Sequence, residues 1–156
     1  MKIGVYPGSF DPIKNGNMDV LNRALEVFDK VIILVAVNPD KKSRFSAEER
    51  VEMIKKATKD LENVEVDYTT GLTVKYAKEH NAFHLIRGLR AVTDFEYEFQ
   101  LASAYEFADP NIDIVFFMSR GDIAYVNSST IMALHKSGVD ISKLVPEAVF
   151  EKLKEK

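Results

Sequence analysis

Val31-Ile32-Ile33-Leu34-Val35-Ala36-Val37 is apolar at every position. A strand with one wet face alternates apolar and polar residues, so an unbroken run describes a strand covered on both faces, as in a parallel sheet. Parallel neighbours need long crossovers, and the rest of the chain supplies them. Strand-like runs at 2–6, 31–37, 64–68, 84–86 and 112–117 alternate with helical spacing at 17–28, 47–60, 73–80, 94–108, 129–137 and 146–154. The pattern predicts an α/β fold, a doubly wound five-stranded parallel sheet in one domain over residues 1–156. Ser46, with Glu49 three residues on, has the spacing of a capping box and starts the second helix.

In such a fold the ligand lies beyond the C-terminal strand ends, so the loops there carry the function. The first runs Pro7-Gly8-Ser9-Phe10-Asp11-Pro12-Ile13-Lys14-Asn15-Gly16-Asn17. Gly8 and Gly16 allow close backbone approach, the prolines stiffen the loop, and a helix beginning near Gly16 or Asn17 aims unpaired N–H groups at its contents. That is a phosphate site or an ordinary strand-to-helix turn. The second loop holds Lys41, Lys42 and Arg44, and the fourth begins Arg87-Gly88-Leu89-Arg90. Arginines at a strand end can grip phosphate oxygens, and they can also pair with Asp94, Glu96 or Glu98. The fifth loop brings Asn127, Ser128 and Ser129 to a helix start, as caps or as donors to an anion.

The net charge of −3 gives no general attraction to nucleic acid or an anionic membrane, so an anionic ligand must be held by local basic clusters. No apolar run approaches the ~20 residues of a membrane span, and the first residues lack a signal-peptide pattern. The absence of cysteine rules out disulfides and thiolate metal sites and fits a cytoplasmic protein. The first loop also lacks the Gly-x-Gly-x-x-Gly fingerprint of a dinucleotide-dependent dehydrogenase.

Taken with Phe45-Ser46-Ala47-Glu48-Glu49-Arg50 and the segment from Ile86 to Glu98, these loops make the chain resemble the bacterial phosphopantetheine adenylyltransferases of the nucleotidylyltransferase superfamily, which have a Rossmann-like fold. The resemblance implies transfer of the adenylyl group of ATP to 4′-phosphopantetheine, giving dephospho-coenzyme A and pyrophosphate. It puts Ser9, Phe10, Asn17, Gly88, Leu89, Arg90, Glu98, Ile123, Ala124, Tyr125, Val126, Asn127, Ser128 and Ser129 on ATP. It puts Ser9, Lys41, Thr73 and Arg87 on the acceptor, with Asn17, Lys41 and Arg90 in catalytic positions. Mg2+ would accompany the triphosphate without protein ligands, coenzyme A would be a further ligand, and the assembly would be a homohexamer. An aromatic-rich fourth helix, with Phe95, Tyr97, Phe99, Tyr105 and Phe107, fits either core packing or such an interface.

Three positions depart from the family's pattern. Asn17 stands where the superfamily has a transition-state-stabilising histidine, Asn127 replaces the first serine of a hydroxyl run, and Met132 replaces a basic residue. Asn17 can donate a neutral hydrogen bond but no charge. Lys14 has an arm long enough to compensate. The expectation is a working enzyme, slowed at Asn17; the alternative is a variant that binds the same ligands with little turnover.

Overall fold

The computed structural model describes residues 1–90, 92–120 and 126–155. Among them are five strands, β1 (Ile3–Gly8), β2 (Lys30–Ala36), β3 (Val64–Thr69), β4 (His84–Leu89) and β5 (Asp113–Met118). All pair in parallel, in the order β3-β2-β1-β4-β5. The helices are α1 (Asn15–Ala24), α2 (Ala47–Ala57), α3 (Thr73–Glu79), α4 (Val92–Ala108), α5 (Ser128–Lys136) and α6 (Glu147–Lys154). The doubly wound parallel sheet expected from the sequence is the one observed.

The unbroken apolar run of β2 feeds two cores. Val31, Ile33 and Val35 join Leu21, Phe28, Ile54, Ile131, Val149 and Leu153 on the face carrying α1, α2, α5 and α6. Ile32 and Leu34 join Val74, Ala77 and Leu85 on the face carrying α3, against which Tyr105 of α4 packs. Strand residues alternate faces, so seven consecutive apolar residues are what a doubly covered strand requires.

Strand order reverses direction between β1 and β4, and the ladder there is short. β1 pairs with β2 along its whole length, from Ile3↔Lys30 to Gly8↔Val35, but with β4 only at Gly4↔His84 and Val5↔Leu85. Pro7 has no N–H to continue the ladder. Its carbonyl instead accepts a bond from the Arg87 guanidinium at 3.3 Å. The C-terminal halves of the two central strands therefore separate, and the crevice of a doubly wound sheet opens at that switch point.

Three boundaries differ from the expectation in ways that matter for the site. β1 continues to Gly8, so Pro7 and Gly8 belong to the strand, paired with Leu34 and Val35, rather than to the loop after it. β4 continues to Leu89, so Arg87 and Gly88 lie in the strand rather than in the loop after it. Gly88 permits the close approach of α1, since a Cβ there would meet Val20 Cγ2 at 3.2 Å. α1 begins at Asn15 with Lys14 as its N-cap, earlier than Gly16 or Asn17, because Asn17 turns its side chain back onto the Lys14 N–H. The capping box of α2 is present: Ser46 Oγ accepts from the Glu49 N–H at 3.1 Å, and Glu49 Oε1 accepts from the Ser46 N–H at 3.0 Å.

Candidate active site

A cavity of about 890 Å³ fills the crevice over β1 and β4 and extends over the ends of β2 and β5. Its described lining holds seven basic side chains, Lys14, Lys41, Lys42, Arg44, Arg50, Arg87 and Arg90, against two carboxylates, Asp11 and Glu98. In a chain of net charge −3 this is a strong local reversal. A concave, low-dielectric cleft of one sign concentrates ligands of the opposite sign.

The two carboxylates are already engaged. Glu98 accepts two bonds from Arg87, at 2.8 Å from Nε and 2.7 Å from Nη2, with only 8% of its side chain exposed. Burial works against the Arg87 charge, but Glu98 more than offsets it and raises the guanidinium pKa. Asp11 ties the first loop to the second: its Oδ2 accepts from the Arg44 N–H at 2.7 Å and its Oδ1 from the Phe45 N–H at 3.0 Å. Buried Arg50 makes a second tie, donating to the Ser9 carbonyl at 2.9 Å.

Between these ties the first loop is held in an unusual shape. Phe10 has φ 45°, a left-handed conformation costly for a residue with a bulky side chain, and its ring is buried edge-on against Tyr6 at 5.2 Å. The left-handed residue of this loop is Phe10 rather than a glycine. Gly8 serves another purpose, because a Cβ there would lie 3.0 Å from the Phe10 ring.

The N-termini of α1 and α5 also face the cavity. Asn17 Oδ1 accepts from the Lys14 N–H at 3.0 Å, and its Nδ2 donates to the Tyr6 hydroxyl at 3.3 Å. Burial pushes that phenol up to about 12, partly countered by the Asn17 bond and by Arg87. Asn127 is the N-cap of α5, its Oδ1 accepting from the Thr130 N–H at 2.8 Å. Ser128 donates to the Pro12 carbonyl at 3.0 Å, and Ser129 accepts from Arg44 at 2.7 Å. The capping and ligand-donor readings of this helix start are therefore not exclusive. The Asn127 oxygen is spent on the cap, while the residue lines the same cavity as Ser128 and Ser129.

Of the residues expected at a site, Ser9, Phe10, Asn17, Lys41, Arg87, Gly88, Arg90, Glu98, Asn127, Ser128 and Ser129 line one cavity. Leu89 is buried beside it, and Val126 reaches it through its carbonyl, which accepts from Lys14. Thr73 does not line it; it is buried at the start of α3. Ile123, Ala124 and Tyr125 lie outside the described residues. Sequence reasoning missed Asp11, Arg50 and Tyr6 as parts of the site. Asp11 and Arg50 both stand in segments that carry the family resemblance, but their roles are contacts across 33 and 41 residues that no local pattern shows.

A cation-lined crevice with two helix N-termini is built for phosphate, a property many nucleotide enzymes share. Comparison with known proteins narrows it. Residues 5–134 match the cytidylyltransferase-like family model. The phosphopantetheine adenylyltransferase of Caldanaerobacter subterraneus subsp. tengcongensis is 45% identical over 156 residues, covering 100% of this chain and 98% of the relative. The enzymes of that name from Clostridium botulinum (strain Alaska E43 / Type E3) and Clostridium tetani are 50% and 48% identical, over 96% and 97% of this chain and 94% of each relative. This chain belongs to the phosphopantetheine adenylyltransferase family. Its membership extends over the whole molecule, so the cavity at the β1–β4 switch point sits in a fold shared from end to end with these adenylyltransferases. The relatives are named as enzymes, and the alternative of a ligand-binding variant with little turnover finds no support in them.

Proposed function

We propose that this chain transfers the adenylyl group of ATP to 4′-phosphopantetheine, giving dephospho-coenzyme A and pyrophosphate in the penultimate step of coenzyme A synthesis. The observation that carries the reading is the cavity with seven cations and two engaged carboxylates, in a chain of this family. Two phosphorylated substrates must meet there, and their mutual repulsion is the main obstacle. Phosphoryl-type transfer asks little of a protein beyond alignment and charge neutralisation.

In this reading Arg90, Gly88, Leu89, Glu98, Val126, Asn127, Ser128 and Ser129 form the nucleotide side, with Ser9, Phe10 and Asn17 beneath the reacting phosphate. Ile123, Ala124 and Tyr125 would complete the nucleotide side. Lys41 and Arg87 hold the acceptor phosphate, with Ser9 beside it. An acceptor phosphate oxygen attacks the α-phosphorus, and pyrophosphate leaves with the electron pair of the broken P–O bond. The cavity suits a Mg2+ that arrives on the triphosphate rather than one held by side chains, since Asp11 and Glu98 are bonded to N–H donors. When bound, the ion would neutralise charge on the departing pyrophosphate.

The same reading has the chain working as a cytoplasmic homohexamer that also binds coenzyme A. Among the described residues no helix is long and apolar enough to cross a membrane. On α4, Phe95, Tyr97, Phe99 and Phe107 are exposed, Phe107 at 92%, an apolar surface suited to burial against other copies.

Pyrophosphate release with ATP, Mg2+ and 4′-phosphopantetheine tests the reading. Release that requires all three, with dephospho-coenzyme A formed in equal amount, is the expected result. Release without the acceptor, or none with it, refutes the reading. Light scattering coupled to size exclusion tests the hexamer, and a monomer refutes it.

A further inference from the structure

Negative charge that develops at the N-terminus of α1 must be met by some group, and Asn17 meets it only with a neutral one. Its oxygen accepts from the Lys14 N–H and its nitrogen donates to Tyr6, so this cavity-lining amide can offer only a neutral N–H and no charge at any pH. The N-cap residue itself carries the charge. Lys14 is half-buried and lines the cavity, and its ammonium lies 3.3 Å from the Val126 carbonyl, two residues before α5 begins. The cation thus stands between the N-termini of α1 and α5, where an anion is already favoured.

A 3.3 Å bond to a neutral carbonyl is long for N–H···O, whereas a phosphate oxygen binds an ammonium about twice as strongly as a neutral acceptor. The stem has four methylene groups and can redirect its end without moving the N-cap backbone. We propose that Lys14 is a catalytic residue of this chain, its ammonium passing from the Val126 carbonyl to a phosphoryl oxygen of the bound nucleotide. The work at the α1 N-terminus is then divided: Asn17 donates an oriented neutral hydrogen bond, and Lys14 supplies the charge. The bond formed is acceptor oxygen to α-phosphorus, the bond broken is α-phosphorus to pyrophosphate oxygen, and the ammonium offsets charge on the five-coordinate phosphorus between them.

The proposal rests on the adenylyl-transfer reading, and the test separates the two. Pyrophosphate release is measured for the parent, Asn17→His, Lys14→Met, Lys14→Arg and Lys14→Met/Asn17→His, with urea midpoints for each. Lys14→Met keeps the stem and should lower kcat by about 10²-fold, the scale of losing one oriented transition-state donor, with KM for 4′-phosphopantetheine within about twofold. Lys14→Arg should retain most of the rate. In the Met background Asn17→His should recover about tenfold or more, a clearly larger factor than the same Asn17→His substitution gives in the parent, because an imidazolium then replaces a missing charge at the same phosphate; an equal factor in both backgrounds, as a purely structural lysine would give, overturns the proposal. A Met variant within twofold of the parent overturns the proposal, and so does a loss that neither Arg nor the added histidine recovers. If Lys14→Met does not fold, Lys14→Gln is read by the same criteria. A parent with no release overturns the adenylyl-transfer reading instead; the role of Lys14 is then judged by calorimetric titration with ATP, where an unweakened Met variant overturns it too.

Discussion

Asp11→Asn isolates the tie between the first and second loops. Each carboxylate oxygen accepts one backbone N–H, from Arg44 at 2.7 Å and from Phe45 at 3.0 Å. An asparagine of the same shape can offer oxygen to only one of them. Whichever way the amide is turned, its NH2 meets the other N–H donor to donor, so the substitution removes one charge-assisted bond and orphans a backbone group. The first loss is worth about 1.5–3 kcal/mol and the second about 1–3 kcal/mol; they overlap, since both concern one contact, and about 3 kcal/mol in all is reasonable. For a chain of this size that is a fall of about 10 °C in Tm. The damage is local to the loop that carries Lys41, so KM for 4′-phosphopantetheine should rise more than KM for ATP. Thermal unfolding at fixed protein concentration, together with both KM values, reads the effect. A variant melting within 1 °C of the parent would refute the reasoning, since it would mean that the two loops are held by something else.

Tyr6 should matter at high pH. Its folded pKa is raised, so its contribution to stability is complete below about pH 10 and is lost as the pH climbs toward 12. By pH 12 the loss is about 2 kcal/mol, and Tyr6→Phe should be spared it; superimposable alkaline limbs in urea unfolding would rule this out. Glu98→Gln leaves Arg87 with a neutral partner, and a reduction of about 2 kcal/mol in unfolding free energy is expected, less than for a fully buried pair because Arg87 is 21% exposed. No change in the urea midpoint would contradict it. Gly8→Ala should push the Phe10 ring by a few tenths of an ångström and raise KM for ATP several-fold with an intact fold by circular dichroism; unchanged kinetics would show that the ring is not part of the site floor.

What could be read from the sequence follows from the range of the forces involved. The alternation of faces in β2 and the Ser46–Glu49 box are local, and both were legible. The extent of β4 was not, because Arg87 and Gly88 are poor strand residues by propensity. They are kept extended by pairing with β5, Arg87↔Phe116 and Gly88↔Phe117, and by the bond from Arg87 to Glu98. The start of α1 is hidden from the sequence for a related reason: Asn15, Gly16 and Asn17 are weak helix formers, and the side chain of Asn17 sets the first turn by reaching backwards. The basic loops were legible as a group once the fold placed them at one sheet edge. Their stitching by Asp11 and Arg50 was not, since nothing near either residue in the chain announces its partner.

The loops over the crevice are joined by bonds spanning 33, 41, 85 and 116 residues. No contiguous stretch of the chain contains both ends of any of them within one strand–helix unit. The binding surface consequently exists only after nearly the whole chain has found its place, and a partly folded molecule has no reduced version of it to offer. A ligand filling the crevice therefore distinguishes the native molecule from almost every other state and protects all of it at once. At a hundred times its Kd it would add about 2.7 kcal/mol against unfolding, felt by strands far from the cavity as much as by the loops that touch it.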